Sequence, residues 1–242
     1  MLSLIQISRA DSQSARGGGK ADGDGDKGRW VAWLTSRSIL WPLMPGEQTR
    51  LMVAEVIDRL QREHRNIAKL LDALEHQLAV FDTAETPDYD VLAGIGDYFT
   101  AFPDRCHHPK EDLILRKLRE RDPEAVEIVG DLEAEHERIA TLARHFQEAV
   151  QNVLGEAEVS RDAFDAVARH FIKDQRRHLQ MEEERFFPLA LEKLTAEDWA
   201  EIDARITDEK DPVFGADTSA EFAALRNELL SWEEEDEAEE DG

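Results

Sequence analysis

The chain has 242 residues, 41% of them hydrophobic and 34% charged, with a formal net charge of −25. That length allows one ordinary domain with extensions or two small ones, and the apolar fraction is enough for a single core. The acidic balance excludes nucleic acid and an anionic membrane face as partners, since both require a basic footprint. The single cysteine, Cys106, rules out an internal disulfide framework and agrees with a reducing compartment. The apolar stretch from Trp30 to Met44 is too short for a membrane span and is interrupted by Arg37 and Pro42. It also lies too far from the start for a secretory signal, so a soluble, cytoplasmic protein is the expectation.

Residues 1–48 show no periodicity and contain Gly17-Gly18-Gly19 and the Asp-Gly alternation Asp22 to Asp26, which reads as a disordered extension. The alternation lacks the closing glutamate and flanking helices of a calcium loop. Met44 and Met52 are alternative starts. A first helix is predicted from Gln48 to Phe81, where Val53, Ile57, Leu60, His64, Ile67, Leu71, Leu74 and Leu78 follow helical spacing. His64 thus falls within an apolar stripe. Thr, Pro and Asp between 82 and 88 form a loop.

A second helix follows from Tyr89 to about Arg119, but its two halves are out of phase. Five residues separate Phe102 on the upper stripe from His107, a rotation roughly 140° off that stripe at 3.6 residues per turn. Pro103 and Pro109 flank the mismatch, so a kink or bulge that turns the lower half inward is expected there. Asp122-Pro123-Glu124 reads as the start of a third helix reaching Leu154, with Gly155 as its stop. Its inner face is Ile128, Leu132, His136, Ile139, Ala143, Phe146 and Val150. Ser160 caps a fourth helix carrying Phe164, Val167, Phe171, His178, Glu182, Phe186 and Leu189 on one face.

Four long helices with short links predict an all-α, up-down-up-down four-helix bundle over 49–194. Thr195-Ala196-Glu197-Asp198 resembles a capping box opening a short helix to Ile206. Asp211 to Gly215 is a turn, and residues 217–232 form a last amphipathic helix on the exterior of the bundle. Eight of the final ten residues are Asp or Glu, which predicts a disordered acidic tail from 233.

His107 stands four residues before Glu111, and His178 four before Glu182, a spacing that stacks both side chains on one helical face. Each of the four helices therefore turns one histidine toward the interior: His64, His107, His136 and His178. Two buried carboxylates cost several kcal/mol each unless a cation neutralises them. A pair of metal ions does so, with Glu111 and Glu182 bridging and the histidines terminal. Mixed imidazole and carboxylate donors suit iron, manganese or zinc, without the thiolates of a structural zinc site. Four histidines and two bridges supply eight of roughly twelve octahedral positions, leaving room for an oxo or hydroxo bridge, water or a gas. His108 is a fifth candidate histidine if the bend turns it inward. His76, His145 and His170 fall off the inner stripes, Asp112 and Glu183 read as supporting or solvated groups rather than ligands, and Cys106 as a buried, inert thiol.

Glu63-His64-Arg65, His107-His108-Pro109-Lys110-Glu111, Glu135-His136-Glu137 and His178-Leu179-Gln180-Met181-Glu182 together resemble the hemerythrin-like, or HHE cation-binding, family over about Leu51 to Leu194. The resemblance implies a bundle around two iron ions with carboxylate and oxo or hydroxo bridges. It also implies roles in carrying or sensing dioxygen, sensing iron, or repairing iron centres after nitrosative stress. Oxygen-carrying hemerythrins place a second histidine one turn after the first in the third helix, where this chain has Ala140. Their fourth-helix carboxylate is an aspartate five residues after its histidine, whereas Glu182 is four after. The expected ligand is therefore a diatomic gas, dioxygen or nitric oxide, in a sensing or iron-responsive role rather than carriage. The alternatives are a di-iron oxidoreductase or iron-donating repair factor, and a bundle with no metal or adventitious zinc.

Overall fold

A computed structural model describes residues 47–240 apart from 84, 128, 156–159, 208–209, 216–217 and 219. Nearly all of the N-terminal extension, with its Asp-Gly run and Met44, lies outside the described residues. Within them the chain is all-helical, with no strand.

The first rod, α1 (Glu47–Asp82), is continuous. Asp88 ends the following loop and caps α2 (Tyr89–Phe102), its carboxylate accepting from the backbone N–H groups of Asp90 and Val91. The rod then passes without a break through a π-helical turn, Pro103–His107, into α3 (His108–Arg121). This is the bulge expected from the phase mismatch. One extra residue in a turn takes up about 100°, leaving roughly 40° of the roughly 140° error, and His107 comes round to the interior.

The fourth rod repeats the device. Ser160 caps α6 (Arg161–Met181; α4 and α5 are given below), a second π turn covers Glu182–Phe186, and α7 (Phe187–Lys193) completes the rod. In each π turn the bond runs one residue further back than in an α-helix: His108 N–H donates to Pro103 O, and Phe187 N–H to Glu182 O. A proline follows each time, Pro109 and Pro188. A proline ring collides with the carbonyl four residues earlier, and a widened turn before it relieves that contact.

The third helix departs from expectation. Pro123 opens only α4 (Pro123–Val126), and the main rod, α5, is Leu132–Leu154 with Asp131 as its cap. Gly130 lies between them at φ 83°, a backbone region that ends a right-handed turn and that glycine enters without steric cost. Ile128, expected on the inner face, is outside the described residues. Thr195 and Asp198 form the predicted capping box of α8 (Ala196–Asp203), which stops short of Ile206. Asp211 folds the next turn by accepting from Val213 N–H and Phe214 N–H, both at 2.9 Å. A 3-10 turn (Ala220–Phe222) leads into α9 (Ala223–Glu240), so the acidic run expected to begin a disordered tail at 233 continues a helix. Glutamate is a good helix former, and here that propensity prevails over repulsion between neighbours. Leu225 and Leu229 of α9 are buried against the bundle.

Packing closes into a ring: α1 against α2, α2 against α5, α5 against α6, and α6 against α1. Four long rods in mutual contact are what a four-helix bundle requires. The core they enclose is split in two. One apolar cluster runs from Ile67 to Phe81 on α1 with Tyr98, Phe99, Phe146 and Phe171 opposite. The other joins Val53 to Leu60 with Ile114, Leu118, Phe186 and Trp199. Between the clusters each rod carries polar residues at one level.

Candidate metal centre

That level holds all seven side chains singled out in the sequence, none more than 7% exposed. They fall into two groups, each with its donor atoms within 4.8 Å of one another: His64, His107, Glu111 and Glu182, and His108, Glu111, His136 and His178. Glu111 belongs to both. Its Oε1 lies 3.4 Å from both His64 Nε2 and His107 Nε2, and its Oε2 lies 3.4 Å from His136 Nε2. Glu182 is placed in the same way, with Oε2 3.4 Å from His64 Nε2 and Oε1 3.3 Å from His178 Nε2. Each carboxylate thus offers one oxygen to either side.

The bend does turn His108 inward. Its ring stacks on His136 with centroids 4.0 Å apart and planes 9° apart. The third helix has no histidine one turn after His136, and the imidazole that completes this group comes instead from the second rod. His76, His145 and His170 are exposed, and Cys106 is buried.

Carboxylates stand behind four of the five rings, three of them in hydrogen-bond contact. His64 Nδ1 donates to Glu183 Oε1 at 2.9 Å, and Gln61 Nε2 donates to Glu183 Oε2 at 2.8 Å. His107 Nδ1 donates to Glu63 Oε2 at 2.8 Å, and the other Glu63 oxygen accepts from the buried ammonium of Lys110. His108 Nδ1 faces Asp104 Oδ1 at 3.2 Å, and His136 Nδ1 faces Asp112 Oδ1 at 3.4 Å. Such partners orient a ring and strengthen its other nitrogen as a donor. Asp112 and Glu183, read from the sequence as supporting or solvated groups, stand behind His136 and His64, whereas Glu63, Asp104 and Lys110 were not singled out.

The donor set fits a cation better than it fits itself. Both Glu111 oxygens, Glu182 Oε2 and both His178 nitrogens are buried without a hydrogen-bond partner. Leaving such atoms unpaired costs about 1–3 kcal/mol each, more when they are charged. His64 Nε2 and His107 Nε2 are 3.0 Å apart, with their Nδ1 atoms both committed to carboxylates, so at most one proton fits between them. Two nitrogens bound at about 2.1 Å and at right angles to one ion would be about 3.0 Å apart.

Electrostatics agree. Burial alone would raise the carboxyl pKa values of Glu111 and Glu182, but the facing imidazoles reverse this. Glu111 lies well below the usual carboxylate range and Glu182 at about 2. Burial pushes His108 down and His178 down to about 4, so both are neutral and ready to ligate. His64, His107 and His136 move the other way despite burial, held up by the surrounding carboxylates, with His136 at about 12. A metal-free centre therefore stores protons that ions must displace. Loading at pH 7 should release about two protons per chain, one from His136 and one from between His64 and His107, measured as base consumed in an unbuffered titration, and affinity should fall as pH falls. Loading without proton release would contradict this charge state.

A family model for the Hemerythrin HHE cation binding domain matches residues 55–190, a span that includes all seven residues. No curated protein and no solved structure gives a match to the chain.

Proposed function

The chain belongs to the hemerythrin HHE cation-binding domain family, and on that premise we propose that it is a cytoplasmic, non-heme di-iron protein that responds to dioxygen, nitric oxide or iron supply. The observation that carries this reading is Glu111: it is fully buried, with both oxygens unpartnered and aimed at opposite groups of imidazoles. An iron pair there would supply one-electron chemistry and affinity for diatomic gases. In this reading the rods run up-down-up-down, and Glu111 and Glu182 would help hold both ions.

Five imidazole nitrogens and four carboxylate oxygens make nine donors, against about twelve positions for two octahedral ions. An oxo or hydroxo bridge would take two of the remainder, leaving one for an outside ligand. The imidazoles are shared unequally, with His64 and His107 on one side and His108, His136 and His178 on the other. The side with two histidines, His64 and His107, would therefore be the one with room for an outside ligand. Phe187 stacks on His64 there with centroids 5.2 Å apart, and the apolar layers above and below keep bulk water out. Glu63 and Glu183 hold the two rings in place, and Lys110 offsets the charge of Glu63.

Iron donation to damaged centres is the second reading, supported by an acidic cleft that reaches His108 and His136. Metal analysis with visible spectra under argon, air and nitric oxide tests both. About two irons per chain and gas-dependent charge-transfer bands are expected. Bands lost reversibly under vacuum would mark carriage, and bleaching with iron release would mark sensing or donation. A protein holding only zinc, or nothing, would overturn the di-iron reading.

A further inference from the structure

The cleft just mentioned encloses about 650 Å³ between α3 and α5. Asp104, Asp112, Glu133 and Glu137 line it, with Arg144 as the one cationic side chain besides the histidines. Its floor is the stacked pair His108 and His136, both members of the three-histidine group, and the unpartnered Oε2 of Glu111 lies 3.4 Å from His136 Nε2. Two other clefts differ in charge and in position. One, beside Arg169, Lys173, Arg176 and Arg177, has a single acidic residue, Glu75. The other sets Asp131, Glu135 and Glu184 against Arg177 and Arg185. Neither is lined by any of the seven residues of the centre.

The tethers differ as well. Imidazole-to-carboxylate distances are 2.9 and 2.8 Å for His64 and His107, but 3.2 and 3.4 Å for His108 and His136 on the cleft side. The rings between the cleft and the centre are thus the more loosely held. Resting on the metal-centre reading, we propose that this cleft is the route by which divalent cations reach and leave the centre, with Glu133 and Glu137 at the mouth and Asp104 and Asp112 flanking the His108–His136 floor. An acidic funnel raises the local concentration of a cation and speeds its capture, and salt screens that effect. Ala140 lines the same cleft, and its small side chain leaves the mouth open.

The test is stopped-flow uptake of Fe²⁺ by the metal-free full-length chain without oxygen, followed by metal content at equilibrium. At low ionic strength Glu133→Gln/Glu137→Gln should load about 3- to 10-fold more slowly than Glu55→Gln/Glu148→Gln, a pair of equal charge change elsewhere. Arg144→Glu should load faster by a similar factor. Both differences should shrink in 0.5 M salt, roughly as a Debye length of about 3–10 Å dictates. Ala140→Leu narrows the mouth without changing charge, so it should slow loading at any salt concentration. All variants should fill to the same number of ions. Normal filling at control rates in the Glu133/Glu137 and Ala140 variants would overturn the route alone. An unaltered chain that takes up no cation at equilibrium would overturn the metal-centre reading beneath it.

Discussion

Replacing Glu111 by Ala should empty most of the centre, taking metal content from about two ions per chain to well under one, as read by elemental analysis after desalting. The side chain is the one donor residue common to both groups, so its loss removes an oxygen from each at once. It also takes from His107 the carboxylate facing its Nε2 at 3.4 Å, and from His64 and His136 one of the two that face theirs, leaving them Glu182 alone. Asp112→Asn is the informative contrast. Asp112 supports His136 from behind, and losing such a partner typically costs 10–100-fold in affinity, so most of the metal should survive desalting. Full retention in Glu111→Ala would remove its bridging role. Equal loss in both variants would mean that the bundle itself had failed, which far-ultraviolet circular dichroism separates.

Residues whose place depends on one helix's own period could be read directly. His64 and His136 sit on unbroken apolar stripes, and the structure buries them where those stripes point. His107 and Glu111 were legible as a pair, yet the stripe above them pointed elsewhere. Only the π turn reconciles the two, and the prolines gave its location without its form. The second π turn had no phase error to betray it, because the sequence around His178 and Glu182 keeps a helical spacing throughout. Glu63 precedes His64 by one residue and therefore leaves the stripe sideways. Its partners, His107 and Lys110, are on the next rod, so only the packing of the two rods reveals the contact. Asp104 is different: it stands four residues before His108, and that i, i+4 spacing was a usable signal. The late start of α5 turns on Gly130 and Asp131, a glycine stop followed by an acidic cap, which the stronger-looking Asp122-Pro123 pair masked.

Stripping the metal should lower the thermal midpoint by about 10–20 °C, measured by calorimetry with and without a chelator. An ion held at about 100 times its dissociation constant adds about 2.7 kcal/mol, so two add about 5 kcal/mol, and a domain of this size shifts by about 2–4 °C per kcal/mol. The helices should survive, because the two apolar clusters do not depend on the ions. What is lost is compensation within one layer: Glu111 and Glu182, both fully buried, are left facing His136, held protonated by its carboxylates, and the one proton that fits between His64 and His107. Lower pH favours those protons over the ions, so the gap between loaded and stripped protein should narrow as pH falls. An unchanged midpoint would mean that the layer is already satisfied without metal. The same chelator step on Glu111→Ala should move the midpoint by no more than about 3 °C, since a centre that holds well under one ion has little linked stability left to lose.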